Sequence, residues 1–135
     1  MLGIDFKYKT DVSLDSLLLI GSNKFFSLER IIRARGNSVI IYNNLKVNNK
    51  KDISFKLHLD NDITLKRNRN ECKVTSNKKK ILIKFISKQK LILQTSVLKN
   101  KKNFEKYGDK VKHQLINLCF KNTNKVNLQI KIILK

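Results

Sequence analysis

The stretch from Ser27 to Asn48 constrains the fold of this chain more than any other. It reads Ser-Leu-Glu-Arg-Ile-Ile-Arg-Ala-Arg-Gly-Asn-Ser-Val-Ile-Ile-Tyr-Asn-Asn-Leu-Lys-Val-Asn. Leu28, Ile31 and Ile32 fall at i, i+3 and i+4, one apolar face of a short helix that the Ser27 hydroxyl can cap. Arg30, Arg33 and Arg35 fall largely off that face, and Gly36 suits the position just past a helix end because it tolerates positive φ. Val39 to Tyr42 is β-branched and aromatic, hence strand. Asn43-Asn44 can occupy a tight turn, since Asn tolerates the left-handed region, and Leu45 to Asn48 returns. The segment predicts a capped helix, a glycine stop and a β-hairpin.

Similar reasoning extends along the chain. Residues 1–12 alternate Ile4, Phe6 and Tyr8 with charged residues, as a strand or extended arm does. Ser13 can cap a first short helix bearing Leu14, Leu17 and Leu18, stopped by Gly21. Ile53, Phe55, Leu57 and Leu59 alternate with Ser54, Lys56 and His58 as a half-buried strand, and Ile63 to Leu65 follows as another. Residues 67–80 form a basic connector around one weak strand at Val74. Ile81 to Ile86 and Leu91 to Thr95 read as paired strands. Phe104, Tyr107, Val111, Leu115, Leu118 and Cys119 have helical spacing, and Asn122-Thr123-Asn124 reads as a turn. Val126 to Leu134 alternates as a final strand. The expected fold class is α+β: an N-terminal arm at 1–12, a helix–helix–hairpin module at 13–66, the connector at 67–80 and a basic, β-rich extension with one helix at 81–135.

Charge narrows the partner. The chain holds 30 Lys and Arg against 10 Asp and Glu, a formal net charge of +20. Such a surplus repels itself and demands an acidic partner: nucleic acid, an anionic membrane surface or an acidic protein. Basic residues run from Lys7 to Lys135, yet 41% of the chain is hydrophobic, enough to bury a core. Cys72 and Cys119 give no metal-ligand spacing, and His58 and His113 are isolated, so no metal, cofactor or catalytic role is expected of them. Asp15, Asp60 and Asp62 read as turn and cap residues. No apolar run approaches the ~20 residues of a membrane helix. The first 20 residues carry Asp5, Asp11 and Asp15 and no Arg, unlike a mitochondrial presequence. The residue usage, 25 Lys, 16 Asn and 16 Ile against one Ala and no Pro, suits an A/T-rich gene such as an organellar one.

Residues Leu14 to Leu65 carry a further pattern: Leu14-Asp15-Ser16-Leu17-Leu18, then Arg30-Ile31-Ile32 and Gly36, then Tyr42-Asn43-Asn44-Leu45-Lys46-Val47-Asn48, closing with Asn61-Asp62-Ile63. This order and span resemble the RNA-binding domain of the small-subunit ribosomal protein four family, in a reduced form without its zinc-binding region. The family's Ser-Arg at the start of its second helix is replaced by Phe25-Phe26 or Ser27-Leu28, and its hairpin glycine by Asn44. The resemblance implies RNA contacts for Arg30, Arg33, Arg35, Asn43, Asn44 and Lys46. It also implies a structural role in a ribosomal small subunit, with ribosomal RNA and neighbouring ribosomal proteins as partners.

The charge of the loops adds Lys50, Lys51, Arg67, Arg69, Lys78, Lys79 and Lys80 as phosphate contacts, against the plainer reading that they are solvated lysines and arginines. Three of five arginines lie within six residues, and a guanidinium offers stacking and bidentate phosphate recognition. Phe25, Phe26 and Tyr42 can stack on bases but read more readily as core. The expectation is therefore a non-enzymatic ribosomal RNA-binding protein of a mitochondrial or other organellar ribosome, or of the cytoplasm, with no membrane and no small-molecule substrate. A ribosomal protein of other ancestry, an accessory subunit of an RNA-modifying enzyme and a lipid-surface protein remain as alternatives.

Overall fold

The computed structural model describes residues 7–12, 16–22, 24–59, 63–77, 79–100 and 111–135. They form nine strands: β1 (Lys7–Val12), β2 (Ser16–Ser22), β3 (Phe26–Arg35), β4 (Ser38–Leu59), β5 (Thr64–Asn68), β6 (Glu71–Ser76), β7 (Lys79–Ser87), β8 (Ile92–Asn100) and β9 (Val111–Leu134). Each ladder is antiparallel, in the order β1-β2-β3-β4-β9-β7-β6-β5, and β8 pairs with the N-terminal half of β9 on the edge that β7 takes farther along.

This corrects the α+β expectation: the described residues contain no helix. The helix expected over 27–35 is β3, and the one expected after Ser13 is β2. The reason lies in two adjacent β-branched residues and one hidden polar pair. Ile31 and Ile32 point to opposite faces of the sheet, and both faces are apolar enough to accept them. On the core side β3 presents Phe26, Leu28, Arg30 and Ile32, an alternation that Arg30 interrupts. Arg30 is tolerated there because it stands directly opposite Asn43 and donates from Nε to Asn43 Oδ1 at 2.6 Å. Gly36 does have positive φ, +55°, but as the first residue of the two-residue β3–β4 turn. A glycine at that position is what a type II′ hairpin favours. Asn43-Asn44, expected as a turn, lies in mid-strand. The residues from Val111 to Cys119 that had helical spacing belong to β9, while Phe104 and Tyr107 lie outside the described residues.

Strands β4 and β9, at 22 and 24 residues, organise the molecule. They pair first from Ser38↔Ile133 to Lys46↔Lys125, then, after a register shift around Lys51, from Ile53↔Phe120 to Leu59↔Gln114. The first ladder is the middle of the large sheet; the second carries β8. Ile53, Leu93, Ile116, Leu118 and Phe120 of the second ladder enter the same core as Cys72, Val74, Ile83, Phe85, Val126, Leu128 and Ile130 of the large sheet. The two halves of the long strands thus fold face to face over one core. Two further bonds cross between them: Arg67 Nη1 to the Leu93 carbonyl at 2.5 Å and Gln114 Nε2 to the Ile63 carbonyl at 2.6 Å.

Asp52 holds the corner. Asn122, at φ +47°, is the irregular residue on β9, and its N–H donates to Asp52 Oδ1 at 3.0 Å. Lys121 Nζ donates to Oδ2 at 3.3 Å. The Asn122 bond above all, then the Lys121 bond, holds the Asp52 carboxyl below its ordinary value of 3.8. A carboxyl depressed in the folded state contributes stability above the unfolded value and loses it as pH falls through the lower, folded one. Asp52→Ala is therefore expected to melt below the parent at neutral pH. The gap should close on the acid side of 3.8, as followed by thermal melts across an acid series. A pH-independent gap would mean that the carboxylate charge plays no part.

Candidate polyanion interface

Strand alternation sorts the charges between faces. The outer face of the large sheet carries Arg33 and Arg35 on β3, Lys46 on β4, Lys125 and Lys131 on β9, Lys80 and Lys84 on β7, Lys73 on β6 and Lys66 on β5. Its acids among the described residues are Asp11, Glu29 and Glu71. The opposite face of the molecule, outside the second ladder, presents Ser54, Lys56, His58, Asn117, Gln94 and Ser96, a nearly neutral set.

Three lysine pairs on the cationic face stand directly opposite one another: Lys46↔Lys125, Lys84↔Lys131 and Lys66↔Lys73. Directly opposed side chains have Cβ atoms about 5 Å apart, and like charges there are destabilising. A fold shaped by stability alone would alternate the signs. Of these six lysines only Lys84 forms an ion pair among the described residues, with Glu71 at 3.8 Å, while Glu29 lines the same hollow as Lys46 and Lys125. At one end of the face four lysines, Lys66, Lys73, Lys80 and Lys135, line a groove together with threonines and the apolar Val74, Ile81 and Leu82.

The residues expected from the sequence to bind RNA divide by environment. Arg33 and Arg35 are exposed on the cationic face, with the Arg33 guanidinium 6.0 Å from the centre of the Tyr42 ring. Lys46 and Asn44 lie on the same face, Asn44 accepting a hydrogen bond from Asn127 Nδ2. Lys80 belongs to the four-lysine groove and Lys79 is exposed beside it. Lys50 and Lys51 are exposed where β4 bends, and Arg69 is exposed at φ +50° in the β5–β6 turn. Arg30 and Asn43 are turned to the core side: Asn43 is 1% exposed and donates to the Leu128 carbonyl at 3.3 Å. Arg67 spans to β8 as described, and Lys78 lies outside the described residues. The structure adds Lys66, Lys73, Lys84, Lys125 and Lys131 to this face, none of which the sequence marks as a phosphate contact. The usable signal was a lysine at the outward position of an alternating strand, as Lys131 is in Val126-Asn127-Leu128-Gln129-Ile130-Lys131-Ile132.

The Arg30–Asn43 pair makes a test of structural against binding roles. Arg30→Ala leaves the buried Asn43 oxygen without its donor, at a cost of about 1–3 kcal/mol. The expected result is an earlier urea midpoint with polyanion affinity of the folded protein unchanged within about twofold. A large affinity loss at constant stability would place Arg30 in the interface instead.

Comparison with known proteins adds the fold's relatives. No family model and no curated protein matches the sequence. Among solved structures, Heparinase III superposes with a TM-score of 0.67 at 11% identity, over 96% of this chain and 21% of that one. The heparan sulfate lyase HepC from Pedobacter heparinus gives 0.65 at 11%, again over 96% and 21%. The likeness is one of fold. This chain spans about a fifth of the length of either protein, so its architecture occurs as one part of larger lyase enzymes.

Proposed function

We propose that this chain is a binding module for a linear polyanion, an acidic polysaccharide first of all, with the polymer lying along the outer face of the large sheet. The observation that carries the reading is the set of directly opposed lysine pairs on that one face. Their mutual repulsion is relieved when sulfate, carboxylate or phosphate groups sit between them. Association should be strengthened by counterion release, as for any highly charged polymer. Two features support a polysaccharide. The fold occurs within a heparinase and a heparan sulfate lyase. The face also combines cations with amide side chains, the partners that a hydroxyl-rich, charged sugar chain needs. The lyase chemistry of those larger proteins is not assigned to this chain; its role here is to hold the polymer.

A second reading places ribosomal RNA of a small subunit on the same surface, with ribosomal proteins as neighbours. What favours it is exposed charge beyond the face, at Lys50, Lys51, Arg69 and Lys79, as expected of a protein enclosed by phosphates. Titration with heparan sulfate and with structured RNA, from about 50 to 300 mM salt, decides between them. The polysaccharide reading expects heparan sulfate to bind with log affinity falling linearly against log salt, and to resist RNA competition at equal charge. Displacement by RNA at far lower concentration would favour the ribosomal reading. Absence of binding to either at the lowest salt would end both.

A further inference from the structure

Between two of the lysine pairs the face changes chemistry. Along β9 the outward residues run Lys125, Asn127, Gln129, Lys131; along β4 they run Lys46, Asn44, Tyr42. Lys125 and Lys131 are six residues apart on one strand, roughly 20 Å at the rise of a β-strand. In that interval β7 leaves β9 after Ser87, and a hollow of about 280 Å³ opens, lined by Tyr42, Asn44, Ser87, Lys88, Asn127 and Gln129. That volume is just under the lower end of ligand pockets, about 300 Å³.

The rim is locked from behind. Asn127 N–H donates to Gln89 Oε1 at 2.8 Å, Gln89 Nε2 donates to Asn127 Oδ1 at 3.3 Å, and the Ser87 hydroxyl donates to the Asn127 carbonyl at 2.8 Å. Asn127 Nδ2 then donates to Asn44 Oδ1, which fixes the plane of the Asn44 amide. Left without partners among the described residues are the Asn44 amide nitrogen, the Gln129 amide, the Tyr42 hydroxyl and the Lys88 ammonium. Ile86, 53% exposed, gives the hollow an apolar edge. Oriented amides beside an apolar edge match a pyranose ring, which offers several hydroxyls around a hydrocarbon face. They suit a nucleotide less well. Base recognition of this kind uses an open aromatic face, and the Tyr42 ring carries the Arg33 guanidinium.

Building on the polyanion reading, we infer that this hollow is a subsite for one sugar ring of an acidic polysaccharide, whose charged groups lie on the lysine pairs to either side. The test compares a heparan sulfate hexasaccharide, inorganic polyphosphate and single-stranded RNA, each titrated against the parent chain, Gln129→Ala and Asn44→Ala. Gln129 makes no side-chain bond among the described residues, so its variant keeps the fold even if loss of the Asn44–Asn127 bond loosens the rim. The expected result is hexasaccharide binding weakened about tenfold by either change, with polyphosphate binding held within about twofold. Unchanged hexasaccharide binding, or a parallel loss for polyphosphate or RNA, would overturn the subsite. If the parent bound polyphosphate and not the hexasaccharide, the subsite would fall while a general polyanion role stood. If it bound none of the three, both would fall.

Discussion

Replacing one lysine of each opposed pair by glutamine, Lys46, Lys73 and Lys131 together, is expected to weaken heparan sulfate binding on the order of 100-fold at low salt. The figure assumes about 1 kcal/mol for each cation that meets an anionic group. The same variant is expected to be more stable than the parent. Each lysine stands directly across from another, at Lys125, Lys66 and Lys84. Glutamine keeps most of the aliphatic stem that covers the strands while removing the repulsion, about 0.2–1 kcal/mol per pair. At about 4 °C per kcal/mol the melting temperature should rise by several degrees. Opposite movement of affinity and stability marks charges kept for a partner. Lost stability with retained binding would show that these lysines serve the fold.

Phe120→Ala tests the architecture. Phe120 is 1% exposed and meets Phe55 edge to face, with ring centres 6.1 Å apart at 83°. It sits just before the Asp52–Asn122 corner, where the second ladder turns over the large sheet, and pairs with Ile53. Removing a buried phenylalanine costs about 3–5 kcal/mol, a large share of the roughly 5–15 kcal/mol that holds a domain together. The expected outcome is a much earlier urea midpoint. A loss below about 1 kcal/mol would mean that the second ladder does not pack on the first.

Reading this chain as helix and hairpin failed at definable places. Leu28, Ile31 and Ile32 satisfy a helical period, and nothing local in Ser27–Arg35 forbids a helix. The competing period of two, Phe26, Leu28, Arg30, Ile32, is broken by a charged residue. That charge becomes acceptable on the core side only because Asn43, thirteen residues away, stands opposite it. Val111 to Cys119 failed similarly. Leu115 is buried on the outer side of its ladder while Ile116, Leu118 and Phe120 fill the core, so apolar residues on both faces imitated a helical stripe. Where one face was plainly polar, as in Ile53–Leu59 and Val126–Leu134, alternation identified the strand correctly.

What the sequence determined alone was therefore the surplus of positive charge, the strands with one wet face and the positive φ of Gly36, because composition, period-two patterning and glycine's conformational freedom need no tertiary contact. Which lysines share a face, and that they stand pair against pair, was decided by register. Lys46 meets Lys125, and Lys84 meets Lys131, across as many as 78 intervening positions. Moving a strand's pairing by one residue would send every one of those side chains to the other side of the sheet. That choice is made by burial of the opposite row, Ile41, Leu45, Val126, Leu128 and Ile130, in a core that exists only once the long strands have folded back on themselves.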